Sequence, residues 1–203
     1  RVKSFLQRRE ELPHWGYLGV PHRLDRPASG VMVLGRNRRA TRRLSDQFEG
    51  RSVEKIYWAL VEGAVHPNEG VWEDVMRKIP GRAHAEIVSP DSPGARPAVL
   101  RYRVVGILAV GTWLEIRLET GRTHQIRLQT ASRGYPILGD VQYGASGPFG
   151  PDCDDPRECA IALHARKIAF QHPKTRDPVC VAAPTPAFWP ELPLVAEKDA
   201  DGA

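Results

Sequence analysis

The amino-acid sequence predicts an α+β fold, a single domain built on a long mixed, mainly antiparallel sheet flanked by helices and loops. Segments with the alternation typical of strands outnumber segments with helical periodicity. A chain of 203 residues is long enough for one hydrophobic core, and 41% apolar and 26% charged residues are ordinary for a globular protein. We expect the domain to span residues 1–190 and a disordered acidic tail to span 191–203.

The N-terminal quarter of the chain predicts one short strand and then one helix. The apolar run at 31–34, which Gly35 ends, is typical of a buried strand. Asn37 is a suitable N-cap for the following helix, and Gly50 suits its end. One face of this helix carries apolar residues at four-residue intervals: Ala40, Leu44 and Phe48.

The middle and late parts of the chain predict most of the sheet. Residues 53–63 alternate as a strand does, with Lys55 and Tyr57 on one face. The Gly- and Pro-rich region 63–97 predicts short strands and loops, and 106–112 a hairpin turn. Further strands are predicted at 98–108, 112–119 and 162–170.

A second helix is predicted at 123–134. Thr123 is a suitable N-cap, and Gly134 suits the position just after the C-terminus of the helix. The spacing then brings three residues near one face: His124, Arg127 and Ala131. We expect His124 to be a helix-start or hydrogen-bonding residue.

Positive charge is concentrated at the beginning of the chain. The net charge is +5, yet residues 1–55 contain 13 Lys and Arg against 6 Asp and Glu, a net of +7. This asymmetry favours a polyanionic partner such as nucleic acid, although a solubilising surface would look the same.

Several classes of protein are disfavoured. The longest apolar stretch, 104–110, is far too short to cross a bilayer, and no signal peptide is recognisable. The odd number of cysteines without Cys-x-x-Cys spacing argues against a disulfide framework and a cysteine zinc site, so we expect a reducing, cytoplasmic setting. Because the chain begins with Arg1, we expect a further segment upstream.

Most common catalytic motifs are missing as well. The stretch "PASGV" lacks the first glycine of a nucleophile elbow, so Ser29 fits a turn better than a hydrolase site. The histidines are scattered without metal-ligand spacing, and no phosphate-binding glycine motif occurs. A glycosidase would need a second carboxylate, and Asp25 has only basic neighbours in sequence.

Asp25 is the residue that these exclusions leave unexplained. It lies in "PHRLDRPASG", where neighbouring arginines are expected to lower the pKa of the carboxyl and keep it ionised. Such a carboxylate could attack an electrophilic carbon or remove a proton without a cofactor. It could equally form a salt bridge that ties the loop to a helix, and these residues alone leave both roles open.

Four stretches resemble one known family in order and spacing. They are "HRLDRPASG" at 22–30, "KIYWALVEG" at 55–63, "LETGRTHQIRLQTASRGYPILGDVQYG" at 118–144 and "LHARKIAFQHP" at 163–173. Together they resemble the RluA-type family of RNA pseudouridine synthases over roughly residues 15–190. The upstream Asn-Lys-Pro strand usual in that family is not found, so we expect an exposed sheet edge.

The resemblance implies a pseudouridine-synthase-like catalytic domain over 1–190, an isomerase that converts uridine to pseudouridine in structured rRNA or tRNA without cofactor or metal. It implies that Asp25 is the catalytic aspartate, that Tyr57 stacks on the target base and handles the C5 proton, and that Arg127 holds Asp25. A monomer without membrane attachment is expected. The residues expected to contact RNA are Arg23, Arg26, Lys55, Arg122, Arg38 and Arg42.

One alternative is kept beside this interpretation. A catalytically inactive or truncated RNA-binding protein could use the same basic cleft. Convergence of Asp25, Tyr57 and Arg127 in the fold would favour the enzyme over the binding protein.

Overall fold

The computed structural model describes residues 2–9, 16–155 and 159–192. The acidic tail predicted over 191–203 therefore lies almost wholly outside the described residues. Within the described part the helices are α1 (Val2–Arg9), α2 (Arg38–Glu49) and α3 (Gln125–Ala131), with a 3-10 turn at Val141–Tyr143. The strands are β1 (Ser29–Gly30), β2 (Glu54–Val61), β3 (Glu69–Lys78), β4 (Ala85–Ile87), β5 (Arg96–Leu108), β6 (Gly111–Leu118), β7 (Leu163–Gln171) and β8 (Pro178–Ala182).

These strands form one sheet in the order β1-β7-β2-β6-β5-β3-β4, with β8 also paired to β7. Only the short β1–β7 pairing is parallel among the strand pairs of the described residues. The predicted α+β class with a long mixed, mainly antiparallel sheet is confirmed. Strand β8 lies at the edge beyond β7, and four of its five residues are exposed.

The hydrophobic core is built around the central strands β2, β5 and β6. Leu60, Leu100 and Leu114, one from each strand, are completely buried. Trp113 packs edge-on against Trp58, with the ring centroids 5.4 Å apart. Full burial of each leucine contributes roughly 1.5–3 kcal/mol to the free energy of unfolding. The sheet is thus a rigid base for side chains that project from it.

Helix α2 forms as predicted. The Asn37 side chain accepts a hydrogen bond from the Ala40 amide, and Leu44 is buried on the inner face. Gln47 then fixes the helix to the end of β7, because its amide nitrogen donates to the Gln171 carbonyl at 2.9 Å and its oxygen accepts from the Gln171 amide at 2.8 Å. The arginine-rich outer face consequently stays exposed.

The strand predicted at 31–34 was wrong. The pairing with β7 is confined to Ser29 and Gly30, and the chain then leaves the sheet. The Val33 amide donates to the His22 ring at 2.9 Å instead of to a neighbouring strand. The apolar residues of this run are half-buried or exposed, in contrast to the buried strand that was expected.

The second predicted helix is shorter than expected at its beginning. Helix α3 starts at Gln125, and the N-cap is His124 in the left-handed conformation rather than Thr123. The regular helix also ends early, at Ala131, but Gly134 closes the C-terminal turn as predicted, because its amide donates to the Ala131 carbonyl and the next amide donates to Thr130. These two bonds, with Gly134 at φ +82°, form a Schellman motif.

Other features were not predicted. Neither α1 nor β8 has a sequence pattern that we recognised, and β3, with ten residues, is longer than the short strands expected at 63–97. Cys153 and Cys159 form one disulfide, which the argument against a disulfide framework did not anticipate; Cys180 is free and exposed. None of the helices in the described part of the chain has the length and apolar character needed to span a membrane.

Candidate active site

A cavity of about 440 Å³ opens between the loop before β1, strand β2 and the N-terminal end of α3. The volume lies within the range typical of small-molecule sites. Asp25 enters it from the loop, Tyr57 from β2 and Arg127 from α3. Three side chains separated widely in sequence therefore line one cavity, which is the convergence expected of the enzyme.

The backbone around Gly30 explains why Asp25 lies beside Tyr57. Gly30, Ala165 and Tyr57 are register partners across β1, β7 and β2. Gly30 has φ +119°, and a Cβ there would clash with the Ala165 carbonyl oxygen, so a side chain is sterically excluded. A turn closed by the Ala28 amide and the Asp25 carbonyl, 3.0 Å apart, then presents Asp25 to the cavity.

The Asp25 carboxylate faces nitrogen atoms of two side chains, Arg127 and His124. Its Oδ2 lies 3.9 Å from Arg127 Nη1, and its Oδ1 lies 3.9 Å from His124 Nε2. Burial raises the pKa of Asp25, and the positive charges of Arg127 and Arg23 oppose this rise. The expectation that the arginines give a net lowering of this pKa was wrong, because desolvation is the larger effect.

Arg127 is held mainly by a partner other than Asp25. Its Nε and Nη2 donate to the two oxygens of Asp140 at 2.6 and 2.7 Å, and Nη2 also donates to Gln142 Oε1 at 2.9 Å. Burial alone would lower the pKa of Arg127, but the hydrogen bonds and charge of Asp140 outweigh it and the pKa is raised. Nη1 is left to face Asp25.

His124 is buried beneath Asp25 and bonded on its other side to Tyr143. Its Nδ1 lies 3.0 Å from Tyr143 Oη, which also accepts the Ala85 amide at 3.0 Å. The His84 ring stacks on Tyr143 with centroids 4.6 Å apart. Burial, with the charge of Arg127, lowers the pKa of His124 to about 4, so the ring is neutral at neutral pH.

Tyr57 lies at a β-bulge, where the register of β2 with β7 shifts between Ile56 and Tyr57. Its side chain reaches the cavity from the same strand face as Lys55, which lines the cavity too. Burial and the negative charge of Asp25 raise the pKa of Tyr57 to about 12. The phenol is therefore neutral at physiological pH and presents a ring to the cavity.

The residues predicted to contact RNA divide into two groups. Arg23, Lys55 and Arg122 line the cavity with Asp25. The other three do not line it but are exposed at the surface: Arg26, Arg38 and Arg42. Burial, with the charge of Arg51, lowers the pKa of Lys55. Positive side chains thus lie in the cavity and on the face of α2.

Comparison with known proteins identifies the family of the chain. A family model described as RNA pseudouridylate synthase matches residues 3–132. The chain belongs to this family. The resemblance inferred from the sequence motifs is confirmed, and the matched segment includes Asp25, Tyr57 and Arg127.

Relatives within the family match most of the chain. An uncharacterized RNA pseudouridine synthase of Chloroflexus aurantiacus is 37% identical over 100% of this chain and 60% of its own length. The ribosomal large subunit pseudouridine synthase D of Xylella fastidiosa is 36% identical over 98% of this chain and 60% of its own length. This chain therefore spans less than two thirds of the length of these relatives.

A solved structure has the same fold. Human RNA Pseudouridylate Synthase Domain Containing 1 superposes with a TM-score of 0.68 and 26% identity, covering 91% of this chain and 74% of that one.

Sequence reasoning missed several residues of the site of this family member. Asp140 lies in "PILGDVQYG", and nothing in that stretch identifies Arg127 as its partner. The burial of Arg127, which makes a counter-charge necessary, becomes visible only in the structure. Tyr143 and Gln142 lie in the same stretch and were likewise unassigned. His22, which stacks on Phe48 with centroids 4.4 Å apart, forms part of the cavity wall. No cluster of potential metal ligands occurs among residues 2–9, 16–155 and 159–192.

Proposed function

We propose that this protein isomerises uridine to pseudouridine in RNA, with Asp25 as the catalytic residue. The observation that carries the proposal is the convergence of Asp25, Tyr57 and Arg127 in one cavity. Family membership supports the same reaction. A protein that only binds RNA would have no need for a half-buried carboxylate beside Arg127 and His124, because that carboxylate repels the phosphate backbone.

The reaction assigns a task to the carboxylate. Asp25 engages the ribose, either as a nucleophile at C1′ or by removing the C2′ proton. The N1–C1′ bond breaks, the uracil turns, and C5 bonds to C1′. The C5 proton passes to solvent and N1 takes up a proton, so substrate and product have the same composition. Nothing is oxidised and no group is added, so the reaction requires no cofactor.

Arg127 positions the carboxylate in this scheme. The Asp140 contacts fix its guanidinium, and Nη1 faces Asp25 at 3.9 Å. At 3.9 Å the two groups form an ion pair and not a hydrogen bond, and catalytic contacts that are long in a free enzyme often shorten when substrate fills the site. We therefore propose that substrate binding closes the gap between Asp25 and Arg127.

Tyr57 provides the aromatic face on which the base stacks. Its pKa of about 12 disfavours loss of its own proton, so we assign it stacking and not removal of the C5 proton. Stacking retains the uracil while it is detached from the sugar. It also offsets the few kcal/mol that extrusion of a base from an RNA stack costs.

We propose rRNA as the substrate, with tRNA as the second candidate. The printed name of the Xylella fastidiosa relative refers to the large ribosomal subunit. Arg23, Lys55 and Arg122 at the cavity and Arg26, Arg38 and Arg42 outside it are the proposed contacts to the RNA, since Lys and Arg neutralise phosphates.

Nucleoside analysis tests the reaction and the substrate together. Unmodified transcripts of large-subunit rRNA and of tRNA are incubated with wild type and with Asp25→Asn, digested to nucleosides, and separated chromatographically. We expect pseudouridine in the rRNA treated with wild type and none with Asp25→Asn. Pseudouridine only in tRNA would correct the substrate. If pseudouridine formed in neither RNA although the protein was folded and bound RNA, the result would support a catalytically inactive RNA-binding protein instead.

A further inference from the structure

His124 is the second group that faces the Asp25 carboxylate. Arg127 approaches one carboxylate oxygen and His124 Nε2 approaches the other, each at 3.9 Å. The His124 side chain is 5% exposed, and its Nδ1 lies 3.0 Å from Tyr143 Oη, so packing and this contact restrain the ring. Each ring nitrogen of His124 therefore has its own neighbour: Nε2 faces Asp25 and Nδ1 faces Tyr143.

The hydrogen bonds of Tyr143 decide which nitrogen of His124 carries the proton. Tyr143 Oη already accepts the Ala85 amide, so its own proton needs an acceptor. Within the part of the chain that the structure describes, the only such acceptor recorded is His124 Nδ1 at 3.0 Å. An unpaired buried hydroxyl proton is unfavourable, so Tyr143 donates to Nδ1. The ring proton of neutral His124 is then on Nε2, toward Asp25.

The backbone at His124 supports a functional reason for this placement. His124 has φ +53°, in the left-handed region that residues other than Gly rarely adopt. Strain of this kind is found mainly where the surrounding structure fixes a residue for function. Here the left-handed residue is the N-cap of α3, and the same helix carries Arg127 three residues later.

We propose that His124 is a positioning residue for Asp25, with Tyr143 holding its ring so that Nε2–H is directed at the Asp25 carboxylate. Arg127 and His124 then hold one oxygen each, and Asp25 meets the ribose in one orientation. The arrangement supplies one charged and one neutral donor. The proposal rests on the proposed function of Asp25 in catalysis.

The tautomer can be measured without any substrate. Long-range 1H–15N correlation spectra of the protein with 15N-labelled histidine distinguish the Nε2–H tautomer, the Nδ1–H tautomer and imidazolium. We expect His124 at pH 7 to be the Nε2–H tautomer, and Tyr143→Phe to abolish that preference. Tyr17→Phe, at an exposed tyrosine, is the matched control. The Nδ1–H tautomer or imidazolium at His124 would overturn the proposal.

Two substitutions separate positioning from a structural role. Asn tolerates the left-handed backbone and places its amide where Nδ1 lies, so His124→Asn keeps the fold and the Tyr143 contact but presents no donor to Asp25. Gln places its amide nearer to Nε2. We expect His124→Asn to reduce the single-turnover rate by about 10- to 100-fold, the value of a hydrogen bond to a charged group, with RNA affinity unchanged.

The conservative variant provides the rescue. We expect His124→Gln to be faster than His124→Asn, and His172→Asn, at the β7–β8 turn outside the cavity, to match wild type. A wild-type rate in His124→Asn would overturn the proposal, and so would a folded His124→Gln no faster than His124→Asn. If His124→Gln does not fold because Gln is not tolerated at the left-handed position, the rate of His124→Asn and the tautomer measurement still test the proposal.

Failure of the proposed function is recognised separately. If wild type modifies no RNA, NMR titration of the Asp25 carboxyl in wild type and His124→Asn replaces the rate measurement. Loss of a donor to the carboxylate raises its pKa, while Arg127, Arg23 and Asp140 are unchanged. An upward displacement would support the positioning role without catalysis, and an unchanged titration would overturn it.

Discussion

Arg127 and Asp140 form a buried bidentate ion pair, with Nε to Oδ2 at 2.6 Å and Nη2 to Oδ1 at 2.7 Å. Arg127 is 3% and Asp140 1% exposed, so water contributes little to either charge. The pair leaves Nη1 of Arg127 directed at Asp25. Asp140, which the sequence analysis did not single out, therefore determines where the arginine points.

Substitution of Asp140 tests this relationship. Asp140→Asn keeps the shape but removes the counter-charge of a buried arginine, and such a loss typically costs about 3 to 5 kcal/mol of stability. Urea denaturation measures it. Glu119→Gln, in the exposed pair with Arg101, is the control and is expected to cost less than about 1 kcal/mol. Equal losses of stability in the two variants would show that the buried Arg127–Asp140 pair contributes no more to stability than the exposed Arg101–Glu119 pair.

Arg23 allows the electrostatics of Asp25 to be tested by pH. The reaction requires ionised Asp25, so the single-turnover rate falls as acid protonates it. Arg23 lowers the pKa of Asp25 against the effect of burial. Arg23→Gln therefore moves the acid limb of the rate profile to higher pH. Arg26→Gln, an exposed neighbour, should leave the limb in place; a displacement as large in Arg26→Gln would contradict the assignment.

His124 makes stability depend on pH. Its pKa is lowered to about 4 in the folded protein from an ordinary value of 6.5, so the unfolded chain binds a proton that the folded protein does not. The stability contributed by neutral His124 is complete above about pH 6.5 and is lost as pH falls toward about 4. We expect the free energy of unfolding to fall less steeply over this window in His124→Asn than in wild type. If the free energy of unfolding had the same pH dependence in His124→Asn and in wild type, His124 would not be a neutral, buried residue with a lowered pKa.

The exposed face of α2 provides a prediction about RNA. If Arg38 and Arg42 contact phosphates, Arg38→Gln with Arg42→Gln reduces the slope of log affinity against log salt by about 1.5. Filter binding over a salt series measures it. Arg101→Gln with Arg103→Gln removes two equally charged residues already paired with carboxylates on β5–β6. If the slope changed only in the Arg101→Gln, Arg103→Gln variant, the RNA would contact the β5–β6 surface and not helix α2.

The local signals in the sequence were sufficient for most of the framework. Asn37 capped α2, the alternation at 53–63 gave β2, and Gly134 closed α3, because each depends on residues close in sequence. The motifs around Asp25 and Arg127 also located the cavity. These are the places where local preference and the final fold agree.

What the sequence did not reveal depends on tertiary contacts. The run at 31–34 has the composition of a buried strand, but the pairing with β7 comprises only Ser29 and Gly30, and the Val33 amide donates to the His22 ring instead. The net pKa shift of Asp25 depends on burial, which cannot be inferred from the residues next to it in sequence. The left-handed backbone at His124 is likewise imposed by packing.

Release of tritium from RNA labelled at uridine C5 tests the central claim most directly, because formation of the C5–C1′ bond must expel that hydrogen. Wild type, Asp25→Asn and the control Asp46→Asn, at an exposed position of α2, are compared at equal concentration. We expect release by wild type and Asp46→Asn, and a rate at least about 1000-fold lower for Asp25→Asn, as is typical when a reacting group is removed. Undiminished release by folded Asp25→Asn, or no release by folded, RNA-bound wild type, would contradict the account.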